Sequence, residues 1–79
     1  MAQPRRPKNP ISDVLDRALE TPVIVSIKGG RKFQGNLRGY DVYMNLVLDG
    51  AVELEVNQAA KRYGVMVIRG DNVVFVALS

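Results

Sequence analysis

The 79-residue sequence contains no cysteine, no histidine and no tryptophan. A domain of this size buries a small fraction of its surface and often depends on disulfides, a metal ion or association with other chains. The absence of cysteine excludes disulfides, and without cysteine or histidine a conventional zinc site has no ligands. Association with other chains is the remaining way to stabilise the domain. We expect no metal and no cofactor.

Long apolar runs are absent too. No segment approaches the ~20 apolar residues that a membrane helix requires, and the basic N-terminus lacks the apolar core of a signal peptide. The sequence therefore predicts no membrane partner. The lack of cysteine agrees with a cytoplasmic location, where disulfides rarely form.

Catalytic constellations are equally scarce. The sequence has no Gly-x-Ser-x-Gly motif and no cluster of metal ligands. Glu53 and Glu55 alternate along one face of a predicted strand, and we interpret them as solvated surface rather than as a catalytic pair. We therefore expect neither an enzyme nor a small-molecule substrate.

The net charge of +3 is concentrated at the N-terminus. Three of the eleven bases, Arg5, Arg6 and Lys8, lie in the first ten residues, which contain no acid, so the remainder holds eight bases and eight acids. Residues 1–9 are predicted to be a flexible basic tail and residues 10–79 a single domain. A neutral body argues against a chromatin-type protein that binds duplex DNA through bulk charge, so any nucleic-acid site must be built locally.

A short amphipathic helix is predicted after the tail. Asn9 suits the N-cap and Pro10 the first helical position, while Pro22 disfavours the helical conformation in the residue before it. The apolar residues between the prolines recur with a helical period on one face: Ile11, Val14, Leu15, Ala18 and Leu19. This face requires another layer to pack on.

From Val23 the apolar period changes to two, which predicts strands on either side of Gly29-Gly30. A Gly-Gly pair between two alternating segments is typical of a two-residue hairpin. The bases around it do not make it a phosphate loop, because no helix and no Gly-Lys-Ser/Thr sequence follows. Gly35 and Gly39 lie on the inward face of the second strand, where glycine permits a sharp bend or a close backbone approach.

The segment 44–56 admits two interpretations. Asp49-Gly50 is a hairpin signal, but a turn there would place an apolar residue opposite Glu53. A continuous strand keeps alternate residues, including Gly50, on one apolar face through the whole segment. We favour the continuous strand, bent at Gly50.

The last two predicted strands, 65–69 and 73–78, are apolar on both faces. An exposed apolar edge strand promotes aggregation unless it is paired, and pairing with a neighbouring copy, repeated head to tail, closes a ring. The predicted architecture is mainly β: an N-terminal helix on a strongly bent five-stranded antiparallel sheet, which forms a small SH3-like barrel in a ring oligomer.

Two stretches of the sequence resemble the motifs of the Sm-like (LSm) family. The first motif is matched by Gly35-x-Leu37, Asp41, Met44-Asn45 and Leu48, and the second by residues 68–73, IRGDNV. The resemblance covers residues 9–78 and implies an Sm-type barrel in a ring of subunits that bind RNA near a central pore. The IRG triplet is similar to the archaeal and eukaryotic branch, which implies a ring of seven. The short chain most resembles an archaeal homomer, with a role in RNA processing or ribonucleoprotein assembly.

The resemblance also implies a site that binds one nucleotide per subunit. Its RNA-binding residues would be Tyr43, Asn45, Arg69, Gly70 and Asp71, with Asp41 and Met44 in support. An aromatic ring and a guanidinium group can stack on the two faces of an unpaired base. A side-chain amide can pair with uracil, which presents an N–H donor between two carbonyl acceptors, better than with cytosine. The predicted partner is uridine-rich single-stranded RNA.

Each of these residues also has a purely structural interpretation. Asn45 could satisfy main-chain groups in a tight loop, Tyr43 could be an interface aromatic, and Arg69 could form a salt bridge with Asp71. Met44 is expected in the core. The alternative function is a ring that scaffolds other molecules with little affinity for RNA. Such a ring would not need an aromatic, an amide and a cation together at this site.

Overall fold

The computed structural model describes residues 10–54 and 61–78 and shows one helix followed by a mainly antiparallel sheet. The predicted tail 1–9, the Asn9 cap and Glu55 lie outside the described residues. The elements are α1 (Pro10–Ala18), β1 (Pro22–Ile27), β2 (Lys32–Tyr40), β3 (Leu46–Leu54), β4 (Lys61–Arg62), β5 (Val65–Ile68), a 3₁₀ turn (Gly70–Asn72) and β6 (Val73–Leu78). None of the helical segments in these ranges has the length and apolar character needed to span a membrane.

Helix α1 packs on the sheet with part of its predicted apolar face. Leu15 and Ala18 are buried, whereas Ile11 and Val14 are exposed on the isolated chain. The hydroxyl of Tyr40, at the end of β2, donates hydrogen bonds to the carbonyl oxygen of Ser12 at 3.2 Å and to the carboxylate of Asp16. These bonds fix the helix against the end of the sheet where β2 stops. The Asp16 hydrogen bond, with desolvation, raises the pKa of Tyr40 above its ordinary value.

Strands β1, β2 and β3 form an antiparallel meander, and β6 pairs with β1 on the far side. Both β4 and β5 pair with β3, so they are two parts of one interrupted edge strand. This confirms the strongly bent antiparallel architecture with an N-terminal helix. The sequence predicted no strand between residues 56 and 65, and this is wrong at 61–62, because Lys61–Arg62 pairs with β3.

The hairpin between β1 and β2 lies at the predicted glycines, but its loop has three residues, 28–30, rather than two. Ser26 pairs with Lys32, and the Gly30 N–H donates to the carbonyl oxygen of Ile27 at 3.2 Å. Gly29 and Gly30 have φ values of 93° and 85°, which only glycine adopts readily. The glycines therefore serve the reversal as expected, whereas the predicted two-residue loop is wrong by one residue.

Strand β3 is continuous through Gly50, as predicted, but its inward face changes there. Gly50 has a φ of 61°, and the pairing between β2 and β3 shifts register between Gln34 and Asn36. Leu46 and Leu48 are buried before the glycine, whereas Ala51 and Glu53 are buried after it. The prediction that Gly50, Val52 and Leu54 continue the inward face is therefore wrong, since one irregular residue reverses the alternation.

Gly35, on the facing strand, makes room for this irregularity. A Cβ atom at Gly35 would lie 3.1 Å from Ala51 Cα and 3.1 Å from the carbonyl oxygen of Asp49. The inward glycine of β2 is thus explained by a close backbone approach, which was one of its two predicted uses.

Glu53 is buried rather than solvated, with 4% of its surface exposed. Its carboxylate accepts two hydrogen bonds from Arg31, at 2.8 Å from Nε and 2.9 Å from Nη2, and one from the Tyr63 hydroxyl at 3.2 Å. The Arg31 hydrogen bond is the main reason that the pKa of Glu53 lies below its usual value, although desolvation opposes it. The ring of Phe33 lies edge-on to Tyr63, with centroids 6.3 Å apart. We call Arg31, Phe33, Glu53 and Tyr63 the Glu53 cluster.

Both ends of the sheet carry exposed apolar side chains. In the described chain β5 pairs only with β3 and β6 only with β1, so each has one unpaired edge. Val65 and Val67 on β5 are 67% and 65% exposed, and Val74 on β6 is 61% exposed. These edges are the ones that the sequence predicted to need a partner.

Candidate nucleic-acid interface

The loop 41–45 joins β2 to β3, and the side chain of Asp41 determines its shape. One carboxylate oxygen accepts hydrogen bonds from the main-chain N–H groups of Tyr43 at 2.9 Å and Asn45 at 3.0 Å. The other oxygen accepts from the Asn45 side-chain amide at 2.9 Å. Asp41 therefore caps the loop and holds the Asn45 side chain in one orientation.

These hydrogen bonds keep Asp41 ionised. The bond from the Asn45 amide is the largest cause of a pKa below the ordinary value, and the main-chain bonds from Asn45 and Tyr43 act in the same direction. Desolvation acts against them without reversing the shift. The capping carboxylate is therefore charged throughout the neutral range.

Within the loop, Met44 points inward and Tyr43 points outward. Met44 has a φ of 62° and packs against the core as a partly buried side chain, in agreement with its expected core role. Tyr43 is 77% exposed, and its neighbour Val42 is 90% exposed. A largely exposed aromatic ring on an internally braced loop is available to stack on a base.

Gly70 brings the second motif into contact with this loop. Its N–H donates a hydrogen bond to Asn45 Oδ1 at 2.8 Å. A Cβ atom at Gly70 would lie 1.7 Å from the Tyr43 carbonyl oxygen, which is far inside any allowed contact. Only glycine permits this approach, so the two motifs meet at a position where no other residue fits.

The Asn45 amide is oriented by its partners on both sides. Its oxygen accepts from the Gly70 N–H and its nitrogen donates to Asp41, which distinguishes the two ends of the amide. An amide offers two N–H donors and two acceptor lone pairs. Among the residues that the structure describes, one N–H and one lone pair of this amide therefore have no partner and remain for a ligand. Asn45 thus has the structural role considered for it, and this role leaves capacity for the binding role.

Arg69 and Asp71 flank Gly70 and are exposed. No ion pair between them is present in the described part of the chain, so the salt bridge considered from the sequence is not formed. The structure brings Asp41, Tyr43, Met44, Asn45 and Gly70 into contact. It places Arg69 and Asp71 beside them through chain connectivity, and their contacts with RNA stay predictions.

One neighbour of the site was not singled out from the sequence as a binding residue. The N–H of Lys28, in the β1–β2 hairpin, donates to the carbonyl oxygen of Asn72 at 2.8 Å. The signal available in the sequence was the group of bases around Gly29-Gly30, which we interpreted as flanking an ordinary turn. In the described ranges no group of three or more potential metal ligands is present.

The family assignment follows from these residues and from a match to a family model. The model of the LSM domain matches residues 13–78, a span that includes both motifs. This chain belongs to the LSM family. The resemblance inferred from the two motifs is thereby confirmed.

Archaeal Sm-like proteins are among its relatives. One from Methanosarcina barkeri is 57% identical over 65 residues, which cover 82% of this chain and 90% of the relative. One from Archaeoglobus fulgidus is 54% identical over 71 residues, which cover 90% and 91%.

Solved Sm structures share the fold of this LSM chain. The structure of a Pyrococcus Sm protein in complex with a uridine heptamer aligns with a TM-score of 0.81 and 42% identity, covering 91% of this chain and 100% of the other. A heptameric archaeal Sm protein aligns with a TM-score of 0.79 and 30% identity, covering 85% and 97%. The heptamer of SmAP1 from P. aerophilum aligns with a TM-score of 0.84 and 28% identity, covering 91% and 96%.

Proposed function

We propose that this LSM chain forms a closed ring that binds uridine-rich single-stranded RNA, one nucleotide per subunit near the central pore. The observation that carries the proposal is the amide of Asn45, which Asp41 and Gly70 hold in one orientation with a donor and an acceptor unused. The complex of the Pyrococcus relative with a uridine heptamer supports the same ligand for this chain.

The unused groups of Asn45 complement one edge of uracil. The free Oδ1 lone pair can accept from the uracil N3–H, and the free Nδ2 hydrogen can be donated to an adjacent uracil carbonyl. Cytosine has an acceptor at N3, so the same amide would present an acceptor to an acceptor. Because Asp41 already fixes the amide, little side-chain entropy remains to be lost on binding.

Tyr43 and Arg69 supply affinity for a base rather than discrimination between bases. Their exposed side chains flank the Asn45–Gly70 contact on the two motifs, so a base that reaches Asn45 would lie between a phenol ring and a guanidinium plane. Stacking of this kind contributes about 1–3 kcal/mol per base and hardly depends on which base is stacked. In our proposal, Asp71 completes the site beside Arg69, although no ion pair joins the two side chains in the described chain.

The ring follows from the two unpaired edges of the sheet. The exposed valines of β5 and β6 would be covered if β5 of one copy paired with β6 of the next. The structural relatives that are heptamers support a ring of seven. A ring repeats a site of modest affinity around one axis. Once one nucleotide is bound, the next is held at high effective concentration near the neighbouring site, so a short uridine tract binds strongly.

The proposal extends to the cellular role. Residues 10–79 form one Sm domain behind a basic tail at 1–9, and the ring acts in RNA processing or ribonucleoprotein assembly in the cytoplasm. Its role is binding rather than catalysis. The family assignment and the polar groups at loop 41–45 support this role, since both are accounted for by RNA recognition.

The test is the binding of oligo-uridine, oligo-cytidine and oligo-adenosine of equal length to the purified protein, with its mass in solution measured in parallel. We expect a ring-sized particle that prefers uridine. Equal and strongly salt-dependent affinities would mean that only phosphates are contacted, and would contradict the uracil-reading role of Asn45. A ring without measurable RNA affinity would favour the scaffolding alternative.

A further inference from the structure

The β1–β2 hairpin lies against the RNA-binding turn but has no part in the site described above. Besides the hydrogen bond from Lys28 to Asn72, Ile27 at the end of β1 pairs with Val73 at the start of β6. The Asn72 N–H in turn donates to the Arg69 carbonyl oxygen at 3.0 Å. The hairpin therefore continues the same hydrogen-bonded surface that starts at loop 41–45.

The residues of the proposed nucleotide site carry a net negative charge, which is unfavourable for binding an RNA strand. Among its residues Arg69 contributes one positive charge, whereas Asp41 and Asp71 contribute two negative charges, which leaves a net charge of −1. The low pKa of Asp41 keeps its charge in place at neutral pH. Each bound nucleotide brings a phosphate, and two carboxylates outweigh the single cation among the base-binding residues, so a further cation would favour binding of the strand.

Lys28 is a candidate for this cation, because its main chain is bonded to Asn72 in the turn that follows Arg69. It is exposed, and its ammonium group forms no ion pair within the described ranges. The two bases that follow the glycines are already engaged elsewhere. The Arg31 guanidinium is held by Glu53, and the Lys32 ammonium lies 6.0 Å from the centre of the Phe75 ring.

The glycines beside Lys28 leave the hairpin backbone accessible. Nothing lies within 4 Å of an ideal Cβ position at Gly29 or Gly30. The Gly29 N–H has no hydrogen-bond partner within the described residues. A main-chain N–H with a neighbouring ammonium group is a combination that binds phosphate oxygens.

We propose that the Lys28-Gly29 hairpin is a phosphate-binding site for the RNA strand that leaves the uridine pocket. This inference rests on the proposed function and gives the strand a direction, from Tyr43 and Asn45 across the turn to the β1–β2 hairpin. The hairpin site has no base preference, because it touches only the RNA backbone.

The test measures oligo-uridine affinity as a function of salt for the wild-type ring and for Lys28→Gln. The slope of log affinity against log salt should lessen by about 0.7 for each phosphate that the variant no longer neutralises. Between 50 and 200 mM salt, one such phosphate accounts for about a 2–3-fold change in affinity. The ratio of uridine to cytidine affinity should stay the same.

Lys61→Gln is the matched control, because it removes the same charge from an exposed position on β4. A slope that is unchanged in Lys28→Gln, or reduced equally in both variants, would overturn the hairpin site. Uridine preference in the wild type together with an unchanged Lys28→Gln slope would overturn this inference alone. A wild-type ring that does not bind oligo-uridine would overturn the proposed function and the hairpin site together.

Discussion

The Glu53 cluster and the loop 41–45 are both organised around a carboxylate, yet they are built for opposite purposes. Glu53 is buried, and an arginine and a tyrosine hydroxyl satisfy it from within the fold. Asp41 is exposed and uses its hydrogen bonds to hold the Asn45 amide, which keeps one donor and one acceptor available for a ligand. A closed network stabilises the barrel, whereas an open network positions a group for a ligand.

The two regions also differ in whether the fold or the local sequence determines their shape. The Glu53 cluster joins residues 22 positions apart, from Arg31, just before β2, to Glu53 in β3. The loop 41–45 is determined locally by Asp41, and one hydrogen bond across 25 positions, from Gly70 to Asn45, then connects it to the second motif. Variants in the first region should therefore change stability, and variants in the second should change RNA affinity.

Arg31→Met is expected to have the largest effect on stability. It would leave the buried Glu53 carboxylate without its cation, which is destabilising, although the exposure of Arg31 itself makes the loss smaller than for a fully buried pair. We expect the thermal midpoint to fall by roughly 5 °C or more. The matched control is Arg17→Met, which removes only an exposed helical pair with Asp13. Equal midpoints for the two variants would show that the Glu53 cluster contributes no more than a surface pair.

Gly70→Ala should affect both properties. The added methyl group would overlap the Tyr43 carbonyl oxygen, so the backbone must move and the hydrogen bond to Asn45 must open. We expect a decrease of about 1–3 kcal/mol in unfolding free energy and at least a tenfold decrease in oligo-uridine affinity. Gly39→Ala is the control, because nothing lies within 4 Å of its Cβ position. Retained affinity in Gly70→Ala would contradict the close approach as a requirement for binding.

Tyr43→Ala should lower RNA affinity without lowering stability. The ring is 77% exposed, so its removal costs the fold little, but it removes a stacking partner that contributes about 1–3 kcal/mol per base. Titration with oligo-uridine and thermal denaturation of the same preparation separate the two quantities. Tyr63→Phe provides the comparison in the Glu53 cluster, since it should change stability and not affinity. The reverse assignment of the two effects would contradict the division between the regions.

The smallest effect is expected from pH in the neutral range. The chain has no histidine, and the carboxylates of both regions have lowered pKa values. Their stabilisation is fully present above the ordinary carboxyl pKa of about 4 and is lost as the pH falls through the lowered folded-state values. Oligo-uridine affinity should be flat between about pH 6 and 8, and stability should decline only in acid. Glu53→Gln should reduce this acid decline, and a steep change in affinity near about pH 6.5 would contradict the scheme.

Much of the fold could be predicted because local rules determined it. The position of the β1–β2 hairpin, the continuous β3 and the inward Gly35 of β2 all follow from alternation and turn chemistry, although the hairpin loop has one residue more than predicted. The burial of Glu53 could not be predicted in this way. A strict alternation through Gly50 places Glu53 outside, and only the register shift against Gln34 and Asn36 reveals that the faces exchange.

The sequence predicted which residues form the candidate site, but not the hydrogen bonds that join them. The motifs identify Asp41, Asn45 and Gly70, whereas the use of each hydrogen bond depends on how the two loops meet in three dimensions. For the same reason the place of Lys28 beside the turn is visible only in the structure.

The central claim is that Asn45 reads the N3–H edge of uracil, and modified RNA tests it most directly. Oligonucleotides of uridine and 3-methyluridine share their phosphates and stacking faces, but the methyl group removes the N3–H donor. We predict that 3-methyluridine binds at least about tenfold more weakly, since a polar group of the site is then left unpaired. By contrast, 5-methyluridine, methylated away from that edge, should bind like uridine. Equal affinity for uridine and 3-methyluridine would contradict the claim and leave Asn45 with its structural role alone.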